Sequence, residues 1–161
     1  MNDILEVVKD LMNLAIQKNV TVSTAESCTG GLIAKYLTDL SGSSNFFDSS
    51  IIVYSNSSKT SLLNVPKMTI DKKGAVSEET VKEMAKGLLK ITNSTVVIAV
   101  SGIMELNSHM LNQKETGVWF CWQSEDVSKT LYSDLKGERI ENRVEAAKIG
   151  ILGLYDFIKE I

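Results

Sequence analysis

The order in which two hydrophobic periods replace one another constrains this chain's fold more than any other feature. Ile4, Val7, Val8, Leu11, Leu14 and Ala15 recur three and four apart, which predicts a helix over residues 3–18. Residues 20–25 alternate and are β-branched, so they read as a strand. Leu32, Tyr36, Leu37 and Leu40 return to the helical period and carry a second helix to about residue 40. Nine of the residues from 41 to 61 are serine, yet residues 49–54 inside that stretch have the apolar character of a buried strand. The stretch therefore reads as loop, strand, and a short helix over residues 56–63. Pro66 marks a turn. Ser77 is a candidate N-cap, followed by Glu78 and Glu79, where a helix dipole favours acids. Val81, Met84, Ala85, Leu88 and Leu89 form the apolar face of that helix. Residues 95–100 predict a strand, 101–115 a loop, and 116–123 and 127–135 a pair of strands. Val144, Ala147, Ile151, Leu154, Ile158 and Ile161 line one face of a last helix, introduced by Gly137-Glu138-Arg139. Helices alternate with strands until two strands stand together. That order predicts one α/β domain over residues 1–161, with a mostly parallel but mixed sheet and an antiparallel edge.

Charge and residue counts remove several function classes. Seventeen basic residues against 20 acidic ones give a net charge of −3, which does not suit a protein that binds nucleic acid by neutralising phosphates. No apolar run approaches the ~20 residues of a membrane span, and the first residues have no basic segment of the kind that opens a signal peptide. Cys28 and Cys121 stand far apart without zinc-ligand spacing, so no metal is expected, and two isolated thiols suit a reducing cytoplasm. The one histidine, His109, lies in the segment without clear periodicity and reads as a loop residue. A hydrolase built from this chain would then take its general base from another residue type.

Ligands of open α/β sheets bind beyond the carboxyl ends of the strands. Four segments fall at such ends. Glu26-Ser27-Cys28-Thr29-Gly30-Gly31 joins a strand to a helix. Its glycines allow close backbone approach, and the free N–H groups of a helix start favour a phosphate or a developing oxyanion. A plain capped turn accounts for the same residue types. The segment is neither a dinucleotide fingerprint nor a phosphate-binding P-loop. Tyr54-Ser55-Asn56-Ser57-Ser58-Lys59 follows the second strand. A serine hydroxyl needs a base, and a lysine with a depressed pKa serves as one. With histidine nearly absent, a serine–lysine pair is the most economical hydrolytic arrangement, with Tyr54 orienting the lysine or relaying a proton. A solvated surface lysine is the plainer account of Lys59. Ser101-Gly102-Ile103 follows the third strand. Arg139 and Arg143 lie four apart on one helix face, suited to a phosphate or carboxylate, or to Glu138, Glu141 or Glu145. Trp119 and Trp122 fall on opposite faces of a strand and read as packing residues.

Thr24-Ala25-Glu26-Ser27-Cys28-Thr29-Gly30-Gly31, Gly42-Ser43-Ser44, Val53-Tyr54-Ser55-Asn56-x-x-Lys59 and Gly74-Ala75-Val76-Ser77-Glu78-Glu79 together resemble the CinA C-terminal domain family. Ser101-Gly102-Ile103, Thr116-Gly117-Val118-Trp119 and Gly137-Glu138-Arg139 with Arg143 extend the resemblance over nearly the whole chain. It implies a three-layer α/β/α sandwich, often dimeric. It also implies hydrolysis of the carboxamide of nicotinamide mononucleotide to the acid and ammonia, in cytoplasmic pyridine-nucleotide salvage, with no cofactor. Ser27 then falls on the nucleophile and Lys59 on the base, with Tyr54 assisting. Cys28, Thr29, Gly30, Gly31, Ser101 and Gly102 fall on the substrate-binding segments, and Arg139 and Arg143 on candidate phosphate ligands.

One departure from the family pattern explains why the chain has a single proline. After Ser101-Gly102-Ile103 the family continues through a loop rich in glycine and proline, whereas this chain continues Met104-Glu105-Leu106 and has neither residue type before Glu115. Met104, Leu106, Met110 and Leu111 cannot reproduce a glycine backbone. Glu138 replaces the usual aspartate. Two alternatives to the family's reaction follow: a paralogue that keeps the fold and binds a nucleotide or a protein without catalysis, and an amidase acting on another substrate.

Overall fold

A computed structural model of the chain describes residues 4–106 and 115–161. Helix α1 (Ile4–Gln17) precedes strand β1 (Val22–Glu26), helix α2 (Leu32–Thr38) and strand β2 (Phe47–Ile52). Helices α3 (Asn56–Leu63), α4 (Lys67–Lys73) and α5 (Glu78–Ile91) lead to strand β3 (Val96–Ile103). Strands β4 (Gly117–Gln123) and β5 (Ser128–Asp134) and helix α6 (Arg139–Glu160) complete the described chain. The sheet order is β2-β1-β3-β4-β5. β2, β1 and β3 run parallel, and β4 and β5 are antiparallel to their neighbours.

The alternation of β3 builds the two faces of the sheet. Val96, Ile98 and Val100 join one core with Val8, Leu11, Ile33, Ala147, Ile151 and Leu154, from α1, α2 and α6. Val97 and Ala99 join the other core with Leu63, Ile70, Val81, Met84 and Leu88, from α3, α4 and α5. The result is a three-layer α/β/α sandwich with a mixed sheet. β3 is buried on both faces up to Ser101, which explains its uninterrupted apolar run. Trp122 packs in the first core and Trp119 against the second, on opposite faces as their spacing requires. Among the described residues, no helix is long and apolar enough to cross a membrane.

The element order agrees with the sequence reading, and three details correct it. Ser101, Gly102 and Ile103 are not loop; they continue β3, because Ile103 pairs with Gly117 and Ser101 with Trp119 of β4. Pro66 begins α4, a helix the periodicity did not reveal because only Ile70 of its residues is buried. β1 includes Glu26, which pairs with Ile52 on one side and Val100 on the other. His109 and the apolar residues Met110 and Leu111 lie outside the described residues, as does Asp3, the expected first residue of the first helix.

The chain leaves β1 for β2 through α2 on one face and returns to β3 through α5 on the other. β1 and β3 are therefore neighbours whose onward connections run to opposite sides. A crevice forms at the carboxyl ends of such strands.

Candidate active site

Ser27 follows the last residue of β1 and lies in that crevice. Its N–H donates to Val100 O of β3 at 3.1 Å, which anchors the residue to the neighbouring strand. The side chain is 7% exposed and lines a cleft of about 190 Å³ with Cys28, Tyr54, Lys59, Ser101, Gly102 and Arg139.

Lys59 reaches Ser27 from α3. Ser55 caps that helix by accepting from Ser58 N at 3.1 Å, so Lys59 falls one turn inside and on the buried side. Only 1% of the residue is exposed. Its Nζ donates to Ser27 Oγ at 3.1 Å, to Val53 O at 3.0 Å and to Tyr54 O at 3.3 Å. Burial holds its pKa below the ordinary lysine range, since a charged ammonium loses hydration there. A neutral amine has two N–H bonds and one lone pair. Once neutral, the amine would keep its two N–H bonds on the carbonyls and turn its lone pair to the Ser27 hydroxyl. The solvated alternative for Lys59 is thereby excluded, and the serine–lysine pairing is present as geometry.

The strand–helix turn after Ser27 differs from expectation in one respect. The N–H groups that open α2 do not face a ligand. The buried carboxylate of Glu26 accepts from Gly31 N at 2.9 Å, Ile33 N at 3.2 Å and Ala34 N at 2.8 Å. It also accepts from Thr29 Oγ1 at 2.6 Å and Thr24 Oγ1 at 3.1 Å. The helix start thus binds an anion, and that anion belongs to the chain itself. Thr29 is spent on the same network. Gly30 N donates to Ser27 O at 3.1 Å. By elimination, Cys28 and Thr29 carry the N–H groups of this turn that donate to no backbone carbonyl among the described residues. Gly30 and Gly31 have φ of +60° and +95°, a left-handed turn that a side chain would strain. The Cys28 thiol is pushed up to about 12, chiefly by burial with the Glu26 charge adding, and partly offset by its own N–H and Lys59. A thiol held that far up carries little thiolate near neutral pH.

The two arginines separate. Arg139 opens α6 at the rim of the cleft and donates to Tyr54 Oη at 3.1 Å and Glu105 Oε1 at 3.2 Å. Arg143 is turned away, with Nε donating to Cys28 O at 3.2 Å and Nη2 to Thr29 O at 2.9 Å. Its guanidinium props the turn from behind, in contact distance of Gly30, and the cleft lining does not include it. Thr29, Gly30 and Gly31 are likewise outside the lining. Tyr54 is 62% exposed, and its hydroxyl is engaged by Arg139. The backbone carbonyl of Tyr54 accepts from Lys59, while its ring hydroxyl accepts from Arg139. Ser101 is buried and donates to Ala75 O at 2.8 Å.

Asn142 and Glu26 were not singled out from the sequence. Asn142 is 2% exposed, and its amide donates to Met104 O at 2.7 Å and Gly137 O at 2.8 Å while accepting from Gly137 N at 2.9 Å. It ties the end of β3 to the start of α6 and so fixes Arg139 at the rim. Glu26 carried a signal, an acid four residues before a helix-opening glycine pair. Asn142 carried none. Among the described residues, no group of three or more His, Cys, Asp and Glu gathers to hold a metal ion.

The CinA C-terminal domain family model matches residues 5–158. A CinA-like protein of Petrotoga mobilis is 41% identical over 153 residues, covering 93% of this chain and 37% of that protein. The chain thus spans 33–37% of the length of several curated CinA-like relatives. The nicotinamide-nucleotide amidohydrolase PncC of Enterobacter agglomerans is 41% identical over 140 residues, 86% of this chain and 85% of PncC. A competence-damaged protein (CinA) superfamily crystal structure from Klebsiella pneumoniae superposes with a TM-score of 0.94 at 25% identity, covering 99% of this chain and all of that one. The competence/damage inducible protein CihA of Agrobacterium tumefaciens gives 0.87 at 30% identity, over 97% and 96% of the two chains. The family model over residues 5–158 and these matches show that the chain belongs to the CinA C-terminal domain family.

Proposed function

We propose that the chain is a carboxamide hydrolase whose substrate is nicotinamide mononucleotide, which it converts to nicotinate mononucleotide and ammonia. The observation that carries this reading is the 3.1 Å contact between Lys59 Nζ and Ser27 Oγ, made by a buried amine whose other two hydrogen bonds are fixed. The similarity to PncC supplies the substrate class.

Neutral Lys59 takes the Ser27 proton as Oγ bonds to the carboxamide carbon. The carbonyl oxygen becomes an oxyanion against the N–H groups of Cys28 and Thr29. Protonated Lys59 returns the proton to the amide nitrogen as the C–N bond breaks, and ammonia leaves. Water then enters: Lys59 takes its proton, the hydroxide oxygen bonds to the acyl carbon, and the proton passes to Ser27 Oγ as the ester breaks. The nucleophile and base are restored, and the acid departs. Arg139, at the rim, is the group available to the phosphate.

Ammonia release from nicotinamide mononucleotide tests the reading. Ser27→Ala is expected to lower kcat by about 10³-fold or more, the scale at which removing a covalent nucleophile acts. Equal rates for Ser27→Ala and the parent chain would refute the mechanism. Release from another amide but not from this nucleotide would move the substrate and leave the chemistry. Release from none would favour a binding module.

A further inference from the structure

The rim of the cleft holds a charge pair that the proposed reaction does not use. Glu105 Oε1 and Arg139 Nη1 are 3.2 Å apart, and both residues line the cleft with Ser27 and Lys59. The pair is built rather than incidental. Asn142 bonds to the carbonyl of Met104, the residue before Glu105, and lies one helical turn beyond Arg139. The same buried amide therefore sets both partners. Apart from Lys59, whose burial favours the neutral amine, Glu105 and Arg139 are the charged residues of the lining, and they cancel.

A phosphate is a dianion near neutral pH, and it can reach Arg139 only where Glu105 already competes for the same guanidinium. We propose that Glu105 is a specificity determinant of this cleft: it occupies Arg139 in the empty site and must be displaced by an anionic group of the substrate. The choice of a phosphorylated amide as substrate rests on the hydrolase reading above; the competition for Arg139 does not. The cleft consequently takes phosphomonoesters less tightly than the same cleft without the carboxylate. Its preference for phosphorylated over unphosphorylated amides is correspondingly narrower.

Titration calorimetry with ribose 5-phosphate separates the two claims, because that probe has the phosphate and no amide. Glu105→Gln, a substitution at a half-exposed side chain, is expected to lower the Kd for ribose 5-phosphate about two- to five-fold, the range for loss of one exposed ion-pair competitor. Added salt should shrink the difference, since both charges face solvent. Arg139→Gln should raise the Kd. In turnover, Glu105→Gln should lower KM for nicotinamide mononucleotide by a larger factor than for nicotinamide riboside. Equal or weaker binding of ribose 5-phosphate by Glu105→Gln, in protein that unfolds at the parent's temperature, overturns the proposal. If no amide is hydrolysed at all, the hydrolase reading falls and the titration still decides the role of Glu105.

Discussion

Lys59 is the residue on which local and global forces meet. Its burial holds the amine below the ordinary lysine range, and folding therefore binds fewer protons there than the unfolded chain does. The sign follows directly. Between the depressed folded pKa and the unfolded value near 10.4, stability rises with pH. The stability of the parent chain minus that of Lys59→Met is expected to increase with pH across that window, as measured by chemical denaturation at several pH values. A flat difference would mean that Lys59 titrates as a solvated lysine. The rate of ammonia release should rise with pH up to the depressed folded pKa and level off above it, where the amine is already neutral. Glu26 poses the opposite test. Each of its oxygens accepts from at least two donors, so Glu26→Gln would set an N–H₂ group against N–H or O–H donors. A loss of about 2–4 kcal/mol in denaturation is expected, the scale for charge-assisted bonds left unmade in the interior. Little or no loss would show that Gln can be accommodated and that the carboxylate is dispensable.

At the scale of elements, α3 is held against α5 at a glycine. A Cβ at Gly87 would lie 1.9 Å from Leu63 O, in the last residue of α3. On an exposed helix, Gly→Ala would add about 1 kcal/mol of stability. Here the backbone contact reverses the sign, and Gly87→Ala is expected to cost about 1–3 kcal/mol by overpacking. Because α3 carries Lys59, the same variant should lower the rate of ammonia release in protein that is still folded. An activity equal to the parent's would mean that the helix pair adjusts without moving the amine. A cap made α5 legible in the sequence, and the structure adds one for α3. Ser55 and Ser77 each accept from an N–H three residues on, a bond decided by neighbours within one turn. Helix α6 is similar, since Glu138 and Glu141 form a reciprocal capping box and the replacement of aspartate by glutamate keeps the cap. Helix α4 was illegible because a mostly polar run with one buried residue has no period to detect.

Across the molecule, burial falls from the centre of the sheet toward β5. Every residue of β1 is buried, as are the first six of β3, whereas β5 keeps five of its seven residues exposed. Hydrogen exchange followed by mass spectrometry should find amides of β1 and β3 among the slowest and those of β5 the fastest of the strands. Equal protection of β5 would mean that a partner covers that edge. What the sequence by itself determined was the kind and order of the elements apart from α4, the cap of α5, and the two residues whose chemistry can make a nucleophile. Those follow from period and side-chain type, which act over a few residues. Only the tertiary structure decided which atoms meet. It turned Arg143 onto the carbonyls of Cys28 and Thr29, gave the start of α2 to Glu26, and set Glu105 against Arg139. Such partnerships depend on segments far apart in the chain arriving within about 3 Å of one another, a distance that hydrophobic periodicity does not encode.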